Sequence, residues 1–302
     1  GSVMEFAIRL PASTANLGPG YDVLGLALGM YNHVRVGPSD VEDHHIRVRG
    51  SGCEELPPDA SNLFFTSAAT LADRLGRTLA PIQADMEINV PLARGLGSSS
   101  TAIVGGVLAA NHLLGDKLSR PELLDIATEI EGHPDNVSPC LYGGFTVSTV
   151  SDGHVTCVRA EPTKELKTVV VVPDFQLKTR EARAALPNEV SHSDAVFNVG
   201  RACLVTAAIL KGDLDALAAA MDDRLHQPYR ARLIPHYDRV IAAALKSGAL
   251  GVALSGAGPA LFAIARKDAE GIGEAMAQIW RAEGIDAAVY ALPVDLDGAV
   301  IE

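Results

Sequence analysis

The sequence predicts an α+β protein of two domains, and three observations carry the prediction. The chain has 302 residues, enough for two hydrophobic cores rather than one. Its first half sets a strand, a Gly/Ser loop and an apolar helix in direct succession. Its second half runs strand, three helices, strand, strand, helix, strand. That order suits an antiparallel sheet covered by helices rather than a doubly wound one. A charged stretch at 161–166 separates the halves, so the domains are expected at 4–163 and 164–302.

Residues 4–10 are apolar and β-branched and read as the first strand, and 31–36 and 45–48 alternate as strands do. Residues 62–75 are apolar at helical spacing, with Ser61 in front as the N-cap. Residues 86–90 read as a strand stopped by Pro91. The alanine-rich run 101–114 is a helix, and 121–131 is another with Pro121 in its first turn. Gly143-Gly144 precedes an alternating strand at 145–150. Residues 168–172 form a buried strand, followed by helices at 195–210, 214–221 and 236–246. Strands at 251–254 and 261–265 flank a Gly-rich turn, and a helix at 271–282 and a strand at 287–291 complete the chain. There is no internal repeat.

A formal net charge of −12 leaves no basic footprint, which argues against a nucleic acid or an anionic membrane as partner. Cys53, Cys140, Cys157 and Cys203 form no C-x-x-C pair and read as reduced thiols. No uninterrupted apolar run approaches the ~20 residues that span a bilayer, and the N-terminus lacks the pattern of a signal peptide. Gly1-Ser2 ahead of Val3-Met4 has the form of a tag-cleavage scar. The expected location is the cytoplasm.

Four segments concentrate chemistry. Pro91-Leu92-Ala93-Arg94-Gly95-Leu96-Gly97-Ser98-Ser99-Ser100-Thr101 joins a strand to a helix. Its glycines allow close backbone approach, its hydroxyls suit a metal, and the helix start favours an anion. It reads as a phosphate cradle or as a capped helix start. It is not a Walker A loop, since no Gly-Lys-Ser/Thr follows. Ser255-Gly256-Ala257-Gly258-Pro259 is a second cradle or a plain hairpin turn. The segment 11–22 brackets Gly18 and Gly20 with Ser13, Asn16 and Asp22. At 129–136, Glu129, Glu131, His133, Asp135 and Asn136 crowd a helix end, where one carboxylate suffices to hold Mg²⁺ beside phosphates and water.

Taken together and in this order, the segments resemble the GHMP kinases. The wording of 11–22 and of His133-Pro134-Asp135-Asn136-Val137 is similar to the homoserine kinases among them. The resemblance runs from Pro11 to about Ala265. It implies a ribosomal-protein-S5-like N-terminal β/α domain and a ferredoxin-like C-terminal α+β domain. It also implies direct, Mg²⁺-assisted transfer of a phosphoryl group from ATP to the side-chain hydroxyl of L-homoserine, a step of threonine biosynthesis.

By position, the resemblance assigns Pro91, Arg94, Gly95, Leu96, Gly97, Ser98, Ser99, Ser100 and Thr101 to the ATP phosphates. Asn62, Gly256 and Gly258 are further nucleotide contacts. It assigns Ser99 and Glu131 to Mg²⁺, with Glu129 close enough in sequence to be the alternative. Asn16, Asp22, His133, Thr179, Arg183 and Arg230 fall to the amino acid. Asn136 stands where some relatives carry an aspartate base, so positioning and charge neutralisation are expected to outweigh base strength. His133 is either a proton relay or a structural histidine. The resemblance further implies a homodimer. Two alternatives stand beside this reading: a GHMP kinase for another carboxylate-bearing alcohol, and a catalytically silent ligand-binding relative.

Overall fold

The computed structural model describes residues 5–302, so Met4 of the expected first strand lies outside it. The first half contains β1 (Phe6–Ala15), β2 (Leu24–Pro38), β3 (His45–Gly50), α1 (Leu63–Arg74), β4 (Ile82–Ile88), α2 (Ser98–Leu113), α3 (Arg120–Glu131), α4 (Val137–Tyr142), β5 (Phe145–Ser151) and β6 (His154–Ala160). The second contains β7 (Lys167–Pro173), α5 (Thr179–Ala184), α6 (His192–Lys211), α7 (Leu217–Ala220), α8 (Gln227–Arg230), α9 (Tyr237–Lys246), β8 (Gly251–Leu254), β9 (Leu261–Ala265), α10 (Ala269–Ala282), β10 (Ala287–Leu292) and β11 (Val300–Ile301).

The first sheet runs β11-β1-β2-β4-β3, with β5 and β6 branching from β2; only β3 and β4 pair in parallel. The second sheet is β10-β7-β9-β8 and antiparallel throughout, as the element order predicted. Sequence placed 300–301 with the second half, but β11 pairs with β1 through Ile8 and Ile301.

Three apolar clusters hold these layers together. The first fills the space between the first sheet and α1–α4, with Ile8, Leu10, Phe64 and Val107 at its centre. The second lies between the halves and joins Leu24, Leu26 and Phe145 to Val170, Val172 and Phe262. The third sits under α9 and α10, around Val169, Val171, Leu261 and Trp280. In β7 Val170 and Val172 face one core while Val169 and Val171 face the other, which is why this strand is an unbroken apolar run.

Two local departures from the sequence reading matter for the site. Pro11 does not end β1, because the register shifts between Pro11 and Ala12 and the strand resumes to Ala15. Ser13 and Thr14 are thereby carried, buried, into the cleft region. The N-cap of α1 is Asn62, not Ser61: the Asn62 side chain accepts from the Phe64 amide. At α3 the boundaries agree with expectation. Ser119 and Glu122 form a capping box, and Gly132, at φ 102°, ends the helix directly after Glu131.

By length and composition alone α6 could cross a membrane, although Asp194, Asn198 and Arg201 interrupt its apolar residues, in keeping with the expectation from apolar runs. Within the fold, its Val205, Ala208 and Ile209 pack into the core between the halves.

Candidate active site

Three glycine segments far apart in sequence are stitched into one wall. The Leu96 carbonyl accepts from the Ser13 amide at 3.0 Å, and the Arg94 carbonyl accepts from the Ala260 amide at 3.0 Å. Ser255 Oγ donates to the Gly95 carbonyl at 2.7 Å and lies 2.8 Å from Thr14 Oγ1. The approach at Gly95 leaves no room for a side chain: a Cβ there would lie 2.2 Å from the Ser255 carbonyl oxygen. The wall closes one side of a cleft of about 330 Å³, within the size range of small-molecule sites.

At one end α2 begins. Its N-cap is Gly97, at φ 74° with no side-chain cap, so the first-turn N–H groups of Ser98, Ser99 and Ser100 have no intrahelical acceptor. With the helix dipole behind them they attract an anion. Beneath this turn, Ser99 Oγ lies 3.1 Å from each Glu131 carboxylate oxygen, and Ser100 Oγ lies 3.3 Å from Oε2. Burial pushes the Glu131 carboxyl up, while the His133 charge and the Ser99 bond pull it down. Glu129 points away and pairs with Arg74 on the surface.

At the other end lies an amphoteric pocket. Asp22, His133 and Asp135 converge, with ligand atoms within 4.8 Å of one another. Facing them are Arg183, whose Nη2 is 3.5 Å from Asp22 Oδ1, and Arg230, whose guanidinium carbon is 5.4 Å from the Tyr21 ring centroid. Burial pushes the Asp22 carboxyl up and Asp135 adds to this, against Arg183. Burial pulls the His133 imidazole down, but its bond to Asp135 and the negative charges of Asp135, Asp22 and Glu131 together outweigh this, and the net shift is upward. Between the two ends stands Asn136, whose Oδ1 accepts from Ser13 Oγ at 2.8 Å.

Of the residues singled out in the sequence, Asn16, Asp22, Asn62, Arg94, Gly95, Gly97, Ser98, Ser99, Thr101, Glu131, His133, Asn136, Thr179, Arg183, Arg230, Gly256 and Gly258 line this cleft. Pro91, Leu96 and Ser100 do not. Leu96 is in the core between the halves, Ser100 is buried, and Pro91 faces a separate groove beside Pro173.

Several lining groups are already engaged. Thr101 Oγ1 donates to the Ser98 carbonyl at 2.6 Å and accepts from Asn32 Nδ2 at 3.0 Å. Asn62 uses its amide to cap α1 and to reach the Pro57 carbonyl. Asn16 accepts from the Asp22 amide and donates to the Gly256 carbonyl, so it shapes the loop that presents Asp22.

Sequence reasoning marked Ser13 and Asp135 within their motifs but assigned neither a site role, and it passed over Tyr21. It also missed the apolar lining of Leu56, Leu63, Met86, Ile88 and Leu92. In sequence these five are indistinguishable from core positions of a strand or helix.

Residues 62–144 match the GHMP kinases N terminal domain, and residues 205–282 match the GHMP kinases C terminal family. A homoserine kinase from Synechocystis sp. is 42% identical, over 99% of this chain and 99% of its own. One from Carboxydothermus hydrogenoformans is 44% identical, over 97% of this chain and 95% of its own. The crystal structure of homoserine kinase from Cytophaga hutchinsonii superposes with a TM-score of 0.90 at 34% identity, covering 99% of this chain and 97% of that one. Likeness of this degree along the whole of both chains settles the family: the chain belongs to the homoserine kinases, within the GHMP kinases.

Proposed function

We propose that this kinase transfers the γ-phosphoryl group of ATP to the side-chain hydroxyl of L-homoserine, giving O-phospho-L-homoserine for threonine biosynthesis. The observation that carries the reading is the opposition of two carboxylates, Asp22 and Asp135, to two guanidinium groups, Arg183 and Arg230, in one pocket beside Asn136. An α-amino acid offers an ammonium and a carboxylate to these two poles, and a planar guanidinium suits the carboxylate. Sugars and simple alcohols offer neither an ammonium to the carboxylates nor a carboxylate to the guanidinium groups.

The apolar end of the cleft, Leu56, Leu63, Met86 and Ile88, suits an adenine ring, and the α2 N-terminus suits the phosphates. Glu131 and Ser99 fit a magnesium ion: a half-buried carboxylate whose hydrogen-bond partners are hydroxyls is an oxygen donor set for a hard cation. When bound, the ion neutralises charge on the phosphates. The residues do the rest. Asp22 and the arginines orient homoserine so that its hydroxyl faces the γ-phosphorus in line. Asn136 has its Oδ1 occupied by Ser13, so its Nδ2 is the group left to donate to a reacting oxygen. It is therefore a positioning and charge-stabilising group rather than a base. His133, fixed by Asp135, takes up the hydroxyl proton.

The same reading makes the protein cytoplasmic, with no nucleic acid or membrane as partner, and a homodimer. The outer face of α6 exposes Val196, Val199 and Leu210 around Cys203. Asp194 and Lys211 sit at opposite ends of that helix, where an antiparallel second copy brings unlike charges together. Oxidative cross-linking through Cys203 tests the contact; a protein that sediments as a monomer and never cross-links contradicts it.

A coupled ADP-release assay with L-homoserine, L-serine, L-threonine and mevalonate tests the activity. Turnover confined to homoserine is expected, and turnover of mevalonate alone would overturn the reading.

A further inference from the structure

His226 is fully buried, yet none of its polar atoms enters the chemistry proposed above. Its Nε2 lies 2.7 Å from the Gly18 carbonyl oxygen, a partner that only accepts. Its Nδ1 lies 3.2 Å from Arg230 Nη1, a partner that only donates. The two partners thus fix one neutral tautomer, with the proton on Nε2. Burial favours the same neutral form, with Arg230 acting in the same direction and Asp223 against it. Asp223 is no proton relay, because Oδ2 already accepts the amides of His226 and Gln227 at 2.9 and 2.7 Å, and Oδ1 accepts that of Leu225.

The two bonds reach the two poles of the amino-acid pocket. Gly18 heads the turn that presents Asp22, a turn in which Asn16, Leu17 and Asp22 all take positive φ, and Asn16 Oδ1 binds the Asp22 amide at 2.9 Å. Arg230 has its Nε on the Ala182 carbonyl at 3.2 Å, so His226 supplies the second point that sets the plane of its guanidinium. A five-membered ring bonded on opposite edges is a spacer of fixed length.

We propose that His226 is a positioning residue that sets the distance between the ammonium-binding pole at Asp22 and the carboxylate-binding pole at Arg230. It thereby selects substrates that carry both groups on one carbon. This rests on the amino-acid reading of the pocket and deepens it.

The test uses two variants of the full chain. His226→Gln keeps an N–H near the Nε2 position for Gly18 and loses the acceptor for Arg230. His226→Asn keeps an acceptor near Nδ1 and loses the bond to Gly18. Each is checked for folding by thermal melting, and KM and kcat are measured with L-homoserine, with 3-aminopropan-1-ol, which lacks the carboxylate, and with ATP varied.

Losing a hydrogen bond to a charged group corresponds to about tenfold or more. The homoserine KM is therefore expected to rise about tenfold in His226→Gln and by about threefold or more in His226→Asn, which loses a bond to a neutral carbonyl, with the ATP KM within about twofold in both. In His226→Gln the preference for homoserine over 3-aminopropan-1-ol is expected to fall by about the same factor. A folded variant with unchanged homoserine KM overturns the proposal, as does one whose ATP and homoserine KM rise together. If the unaltered protein fails to turn over homoserine at all, the functional reading falls first and takes the proposal with it.

Discussion

The Ser99 hydroxyl lies 3.1 Å from both carboxylate oxygens of Glu131, whereas Glu129, two residues earlier, turns outward to Arg74. The pair separates two glutamates that sequence left as alternatives. Glu131→Gln should lower kcat by about 100-fold or more, the scale of removing one charge-stabilising group at a phosphoryl-transfer site. Ser99→Ala should have a smaller effect in the same direction. Glu129→Ala, which loses only an exposed ion pair, should stay within about twofold of the parent. Mn²⁺ titration in the presence of ADP, followed by electron paramagnetic resonance, checks the metal role without turnover. Equal Mn²⁺ affinity in the parent and Glu131→Gln would contradict it.

Asn136 accepts from Ser13 and is proposed to stabilise rather than to abstract. Asn136→Ala should lower kcat by about 100-fold with the homoserine KM changed far less, because the contact is made chiefly in the transition state. Asn136→Asp keeps the acceptor for Ser13 but brings a negative charge beside Asp135, and should not restore the rate. An Asn136→Asp variant faster than the parent would mean that base strength limits the reaction after all.

Asp22 illustrates the conflict between stability and binding. Burial and Asp135 raise its carboxyl in the fold above the ordinary value of 3.8. Ionisation therefore opposes folding at neutral pH, and that penalty disappears as pH falls below the ordinary value. Asp22→Asn should raise the melting temperature at pH 7, and the difference should shrink as pH is lowered towards 4. Asparagine tolerates the positive φ of 61° at this position, so no backbone strain is added. The same substitution should raise the homoserine KM by at least about tenfold and leave the ATP KM unchanged. A melting temperature that falls at pH 7 would show that the bond to Arg183 dominates instead.

The wall between loop 91–101 and the turn at Ser255 depends on the bare backbone at Gly95. Gly95→Ala places a methyl 2.2 Å from the Ser255 carbonyl oxygen, at φ 93°, and should destabilise the protein by on the order of 3 kcal/mol. The ATP KM should rise with it. Gly76→Ala meets nothing within 4 Å at φ 63°, so it costs only the left-handed backbone, about 1 kcal/mol. Urea denaturation of both variants measures the contrast, and equal destabilisation would show that close approach at Gly95 is unimportant.

What the sequence revealed, and what it hid, follows from how local each signal is. Glycines at 95, 97, 256 and 258 advertise close backbone contact wherever they fold, and all four line the cleft. The Ser119–Glu122 box and Gly132 bound α3 by chemistry within a few residues. Hidden features depend on distant partners. Pro11 reads as a strand end, but a bulge against β2 lets β1 continue and deliver Ser13. Strand β6 alternates exposed and half-buried residues as a sheet edge does, and β11 is two residues long, recognisable only by its pairing with β1. Thr101 has the composition of a phosphate ligand, yet Asn32, sixty-nine residues away, takes up its hydroxyl. Which glutamate faces Ser99 was open in sequence, since it turns on the rotation of a helix end.

The central claim is that the phosphoryl group ends on the side-chain oxygen of homoserine. Phosphorus nuclear magnetic resonance of a mixture of the protein, ATP, Mg²⁺ and L-homoserine tests it directly. The expected result is one phosphomonoester signal per ADP formed, coupled to the methylene protons of homoserine, and no inorganic phosphate. ADP appearing with inorganic phosphate alone, or no change beyond a protein-free control, would contradict it.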